Sequence, residues 1–442
     1  MTVHVAVADV SHYVREGSAI DREAIWRSFS AYLPHRAVPM LPERLSSHMC
    51  SLVPEQDRCA MVVSMRLEAS GEVADVEVRA AVIHSRARLT YGDVAGELAS
   101  GDNLPPAIAA RVHLLRRAAD RLRARRLHRG AVELNLPEIR VVLDEDDPSR
   151  IRDIVPSRAS REMSRAYNLI EELMVAANEA VGAIAARRRL PIVYRVHAPP
   201  DEDRLATLAD AAAVLGVRVD PEKLTSPRGV QAFLGRVKAH PRSTSLNMLT
   251  LRSMAQAEYR TENLGHFALA SDAYVHFTSP IRRYPDVIAH RVMKAWITRQ
   301  GGKAGPPPVP TMPEAEESAD EAQRASLRER EIVAAERESK SLFAAAFMRE
   351  RIGDRFEGAI TGMSSAGLFV AIEHPFARRD DPDEHARAGE GGLVRDRPCN
   401  VRCTGRKSGF ALTLGDRVMV EVVDANIQRR RIEFVLISRL SG

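Results

Sequence analysis

Cysteine is scarce in this chain. The four present, Cys50, Cys59, Cys399 and Cys403, are too few to staple 442 residues into a disulfide framework, and a reducing compartment suits them better. Cys399 and Cys403 have loose zinc-ligand spacing, but no second Cys or His pair accompanies them, so no zinc site is expected. No apolar run approaches the roughly 20 residues that a membrane-spanning helix needs. The opening residues, MTVHVAVADVSHYV, alternate apolar and polar and lack the charged start and apolar middle of a signal peptide, which predicts a cytoplasmic protein. Lysine is nearly absent as well. Only Lys223, Lys238, Lys294, Lys303, Lys340 and Lys407 occur, and every other long cationic side chain is arginine. A GC-rich genome explains that bias as readily as selection for bidentate phosphate contacts would.

What is present reads as a globular protein of two or three domains. Hydrophobic residues make up 45% and charged ones 28%, close to an ordinary soluble enzyme. The net charge of +5 permits a polyanionic partner without demanding one.

Residues 1 to about 95 predict strands and short loops, with HVAVADV and VEVRAAVIHS alternating around the irregular PHRAVPMLPERL. From about 103 to 129 the pattern is helical. There Arg111, Arg116, Arg117, Arg121, Arg125 and Arg129 form a stripe that either lines a path for nucleic acid or is a solvated face. A second helix is predicted over SREMSRAYNLIEELMVAANEAVGAIAARR, with Glu171 and Glu172 between Ile170 and Leu173. One of these two carboxylates must lean towards the buried side, where it needs a partner. Residues 301–313 form a Gly/Pro linker, and Pro313 starts a long helix from near Glu314 that should end near Gly353. Beyond it, RFEGAITGM, GLFVAIE, DRVMVEVVDAN and RRIEFVLI are short alternating strands that suit a five-stranded OB-type barrel, interrupted by the polar loop ARRDDPDEHARAGEGG.

Three stretches go further: VAVADVSHYVREGSAIDREA with PMLPERLSSHMCSLVPEQDR, RAYNLIEELMVAAN with YRVHAPP, and HFALASDAYVHFTSPIRRYPDVIAHR. Together they resemble the catalytic domain of the ribonuclease II / ribonuclease R (RNB) family, in the family's order. The last 90 or so residues resemble the S-one type of OB domain that follows it. The resemblance implies an α+β fold: a mixed RNB catalytic domain over residues 1–350, lacking its N-terminal part, then a small all-β OB barrel over 353–440. It also implies a cytoplasmic, monomeric 3′→5′ exoribonuclease that releases nucleoside 5′-monophosphates from single-stranded RNA.

Residue by residue, TSPIRRYPD is a rigid turn between two prolines, and the resemblance gives Arg282 the task of neutralising the scissile phosphate. Tyr91 matches a tyrosine that stacks on the 3′-terminal base, while the position of its aromatic partner holds Leu134. Glu336 aligns with a glutamate near the scissile phosphate. Arg283, Tyr284, Glu171 and Glu172 are carried over as RNA-contacting positions, and Phe369 is either an exposed aromatic of the OB domain's binding face or a core residue.

The family hydrolyses RNA with Mg²⁺ held by an aspartate run DxxxxxDxDD, which is absent from this sequence, as are two cold-shock RNA-binding domains. Asp9 and Asp286 match family acidic positions outside that run, and no metal-binding role is carried onto them. Two accounts of the missing run compete: truncation of a complete gene product, or a shortened, catalytically silent protein that still binds RNA. Truncation is the expectation, because a cut inside a domain removes strands that the remaining sheet needs.

Overall fold

In TVHVAVA, Val3, Val5 and Val7 fall on one side and are buried, and the segment forms strand β1 (Thr2–Ala8). This computed structural model describes residues 1–134, 136, 139–147, 150–157, 160–302, 311–364, 367–372, 393–395, 401–405 and 411–440. After β1 come the short helix α1 (Val10–Tyr13), helix α2 (Ala19–Arg27), and the hairpin β2 (Ala31–Leu33) and β3 (Arg36–Val38). A π-helical turn over Arg44–Met49 leads to the long antiparallel pair β4 (Asp57–Leu67) and β5 (Val73–His84), and β1 completes the sheet in the order β1-β4-β5. Helix α3 (Tyr91–Ser100) starts in a capping box, Thr90 with Asp93, and α4 (Pro106–Arg129) ends where Gly130 turns left-handed at φ 110°.

A hairpin, β6 (Ile139–Leu143) and β7 (Ile151–Pro156), precedes α5 (Arg161–Arg188). This helix is central because small residues make it so: Ala176, Ala177, Ala180 and Ala185 are buried, and a Cβ at Gly182 would stand 2.8 Å from the Ala273 carbonyl oxygen. Only glycine therefore lets the 273–274 segment pass so near. Strand β8 (Tyr194–Val196), helices α6 (Glu202–Val214), α7 (Pro227–Val237) and α8 (Ser243–Ser253), and strand β9 (Glu258–Arg260) follow, with β9 returning to pair with β8. Then come α9 (Tyr284–Arg299) and the long α10 (Ala315–Arg349), the latter close to the expected span from Glu314 to Gly353.

The remaining strands are β10 (Arg355–Ser364), β11 (Gly367–Ile372), β12 (Leu393–Arg395), β13 (Arg402–Gly405), β14 (Ala411–Thr413), β15 (Arg417–Asn426) and β16 (Arg431–Arg439). They make a four-stranded sheet, β11-β10-β15-β16, and a three-stranded one, β12-β13-β14. No closed barrel is seen among the described residues. The two sheets nevertheless share one core, in which Ile360, Val370, Val418 and Val420 meet Cys403 and Leu412. That core extends to Leu208, Phe233 and Leu246 of α6–α8 and to Ala345 and Met348 of α10, so these helices and the last strands are packed as one. The polar loop over 377–392, Cys399 and most of the 301–313 linker lie outside the described residues. Within the described residues no helix is long and apolar enough to cross a membrane.

The first core, which holds β1, β4, α5 and α9, is crossed by buried charge. Lys294 Nζ lies 2.6 Å from Asp9, and Arg291 donates to Asp21 at 2.6 Å and to the Tyr284 hydroxyl at 2.8 Å. Removing one member of such a pair leaves the other charge desolvated and alone, which costs about 3–5 kcal/mol. Lys294→Met is therefore expected to destabilise the fold by that amount in denaturant unfolding. Adding Asp9→Asn to it should recover most of the loss, whereas additive losses would show that the two side chains do not interact.

Beside this network, burial and then Glu317 raise the pKa of Glu321 from 4.5 to about 7. The folded protein thus keeps a proton that the unfolded chain gives up above pH 4.5 or so. Its contribution is full below that value and is lost as pH rises through about 7. Glu321→Gln is expected to flatten the fall in melting temperature between about pH 5 and pH 8, and an unchanged pH profile would contradict it.

Candidate functional site

A cavity of about 240 Å³ opens between α3, α5 and the loop before α9. It is somewhat smaller than the roughly 300–1,000 Å³ of a site that encloses a whole small molecule, which suits the capture of one end of a longer ligand. Helix α5 supplies one wall through Tyr167, Glu171, Met174 and Asn178, residues at the three- and four-residue spacing that puts side chains on one helix face. Tyr91, in the first turn of α3, stacks on Tyr167 with ring centroids 3.9 Å apart and planes 25° from parallel. Tyr274, Thr278, Ser279, Arg282 and Arg283 make the opposite wall.

That wall is fixed by hydrogen bonds from the helix behind it. The Asn178 amide donates to the Tyr274 hydroxyl at 3.0 Å, and its oxygen accepts from the Phe277 backbone at 3.0 Å. Asp286, in the first turn of α9, accepts from the Ser279 backbone at 2.7 Å and from Arg283 Nε and Nη2 at 2.9 and 2.8 Å. The chain after α2 is zipped to the same loop. Tyr284 donates from its backbone to Ser28 at 2.8 Å, and Ser30 donates to the Arg282 carbonyl at 3.0 Å. Ser28 turns there through φ 58°, an uncommon conformation for a non-glycine residue.

The two arginines of the motif consequently differ. Burial pulls the Arg283 pKa down, but Asp286 outweighs it, and the guanidinium is held as a structural cation. Arg282 is exposed, and its guanidinium has no hydrogen bond or ion pair among the described residues. Burial first, then Arg283 and Arg195, drive the neighbouring His276 far below its ordinary pKa. Of the two arginines in the pocket wall, Arg282 alone has a guanidinium without an ion pair among the described residues, and such a group can meet a phosphate.

The other expected residues divide. Glu171 is exposed and lines the pocket. Glu172, one step around the helix, is turned away and buried, and its carboxylate takes Arg126 at 3.0 and 2.6 Å. Tyr284 is no surface contact either: it is 3% exposed, donating to Asp21 at 2.9 Å. Its position after two prominent arginines hides that its ring belongs to the core. Phe369 is 8% exposed with its ring against Gly362, which corrects the expectation of an exposed aromatic platform. Leu134 packs on the second core, not against Tyr91, whose partner is Tyr167.

Glu336 is outside the pocket lining, and its carboxylate accepts from the Tyr32 backbone at 2.6 Å. Half of the arginine stripe of α4 is used up in ion pairs. Arg116 pairs with Asp120, Arg125 with Glu72 and Arg129 with Glu179, whereas Arg111, Arg117 and Arg121 have no ion pair among the described residues. Tyr167 and Asn178 were missed in the sequence, although their spacing from Glu171 on an otherwise apolar helix marks them as sharing its face.

The sequence model described as the RNB domain matches residues 1–299, more than half of the chain. The chain belongs to the RNB family. It is 35% identical over 442 residues to ribonuclease R of Aquifex aeolicus, covering 99% of this chain and 60% of that protein. The chain thus spans about three-fifths of the length of this relative. Among solved structures it resembles the apo form of Mycoplasma genitalium RNase R, with a TM-score of 0.87 at 26% identity, over 99% of this chain and 67% of that one. It also resembles the same enzyme in complex with ribose-methylated single-stranded RNA, with a TM-score of 0.86 at 27% identity and the same coverage.

Members of the RNB family are generally metal-dependent nucleases, but the residues described here do not fit a metal. No group of three or more His, Cys, Asp or Glu side chains among them could hold an ion. Asp9 is engaged by Lys294, Ser11 and the His12 backbone, and Asp286 by Arg283 and Ser279.

The two glutamates of α5 are expected to separate in experiment. Glu172→Ala should cost about 3 kcal/mol or more, since Arg126 loses its main buried partner. Glu171→Gln should change the unfolding free energy by less than about 0.5 kcal/mol while altering ligand binding at the pocket. Equal effects of the two on stability would contradict this assignment.

Proposed function

We propose that this chain carries the RNA 3′-end pocket of a cytoplasmic, monomeric 3′→5′ exoribonuclease that acts on single-stranded RNA and yields nucleoside 5′-monophosphates. The observation that carries the reading is the pocket itself, where an unpartnered arginine faces a stacked tyrosine pair across a narrow cleft. In this reading Arg282 neutralises the phosphate nearest the 3′ end, with Arg283 and Asp286 acting as its fixed support. The terminal nucleotide rests against the Tyr91–Tyr167 pair, a contact that every base can make. Glu171 accepts hydrogen bonds from its ribose, and Glu336 holds the Tyr32 backbone at the edge of the strand's path. Residues 1–350 form the catalytic domain and residues 353–440 the OB domain, which grips the strand upstream.

Mg²⁺ is the cofactor in this reading of the family, where it activates the attacking water. The described carboxylates do not supply its site. The missing aspartate run is what supports a second reading for this chain, an RNA-binding protein without turnover.

Incubation of a 5′-labelled poly(A) oligonucleotide with Mg²⁺, beside a gel shift at matched salt, distinguishes the readings. Processive shortening to a few nucleotides supports the enzyme. Retardation without shortening supports the silent binder, and the absence of both removes the two together. Arg282→Ala is expected to weaken binding about equally for all sequences and to lower the salt slope by about 0.7, one phosphate contact on a single strand.

A further inference from the structure

Helix α10 is joined to the last turn of α2 and the segment that follows it at three places. The Arg328 guanidinium lies 5.1 Å from the centre of the Trp26 ring, Glu336 accepts from the Tyr32 backbone at 2.6 Å, and Phe343 stacks on His35 at 5.8 Å. At 1.5 Å per residue along a helix, Arg328 and Phe343 are about 22 Å apart, so the row is long enough to follow several nucleotides of an extended strand. Trp26 heads this row and is the most exposed aromatic side chain among the described residues, at 59%. Leaving so large an apolar ring in water is unfavourable, and it packs on no core cluster. Arg328 also pairs with Glu331, one turn along the helix, at 2.7 Å.

The row is continuous with the pocket. Trp26 lies in the last turn of α2, and the residues just after it are hydrogen-bonded through Ser28 and Ser30 to the loop that carries Arg282. We propose that Trp26 and Arg328 form a separate platform for single-stranded RNA, on which a base upstream of the 3′ end stacks while the guanidinium supplies positive charge. A ring with one face near a cation and much of its surface open is the arrangement with which proteins hold unpaired bases without reading their sequence. The proposal rests on the RNA reading above and adds a binding site outside the pocket.

The chain has two tryptophans, which makes the test clean. Trp296 packs against the first core, whereas Trp26 is open to solvent. Tryptophan emission is followed while an unlabelled oligo(A) of about 20 nucleotides is titrated in, and affinity is read separately from the anisotropy of a 5′-fluorescein oligo(A). Base stacking should quench the emission of the unaltered chain and of Trp296→Phe, but not that of Trp26→Phe, which should keep most of its affinity. Trp26→Ala should bind about five-fold or more weakly, the loss expected for one stacked base.

Quenching that persists in Trp26→Phe, or an unchanged affinity in Trp26→Ala, overturns the platform. If Trp26→Ala binds normally while Arg282→Ala binds weakly, the RNA reading stands and the platform alone fails. If the unaltered chain does not bind the oligonucleotide at all, both fail.

Discussion

Helix α9 drives charge into the first core, and each charge it carries there is met by an opposite one. Asp286 takes Arg283 and the Ser279 backbone at its start, Arg291 takes Asp21 in its middle, and Lys294 takes Asp9 nearer its end. Such pairs contribute little net stability beside an apolar alternative of the same shape, but breaking one is costly. What they impose is register. With Asp9 and Asp21 at the start of the chain, the first strand and α2 can dock on α9 in one way only, and the Arg282 loop is held between them.

The pocket inherits its order from that arrangement. Because Arg283 is bound to Asp286, it cannot compete with Arg282 for an incoming anion, and the loop presents one guanidinium rather than two. On the facing side, Gly182 lets the 273–274 segment lie against α5, and Asn178 ties that segment to the helix through Tyr274 and Phe277. Each wall is thus fixed by its own buried polar contacts. The backbone that carries Arg282 is held before a ligand arrives, so little ordering cost falls on it when one binds.

Much of this was legible in the sequence, and the limits are instructive. The helix over 161–188 follows from apolar spacing and that over 315–349 from its run of good helix formers, and TSPIRRYPD was recognisable as a rigid turn because two prolines bracket it. That one of Glu171 and Glu172 must be buried followed from periodicity, but which one depended on the position of Arg126, a tertiary fact. Tyr284 failed for the same reason, whereas Phe369, left open between platform and core, belongs to the core. A motif shows which residue types recur, not which way each faces, and the burial of Tyr284 against Asp21 comes from a distant part of the chain. The pairing of Tyr91 with Tyr167 was equally hidden, since it needs α3 to pack on α5.

The central claim is that the pocket recognises an RNA terminus and not merely a run of phosphates. Competition between a linear oligo(A) and a covalently closed circle of the same length and sequence tests it directly, because the two differ only in having a 3′ end. The account predicts that the linear form binds more tightly and that Arg282→Ala removes most of the difference. Equal affinity for the two forms would contradict it and would leave this chain a general binder of single strands.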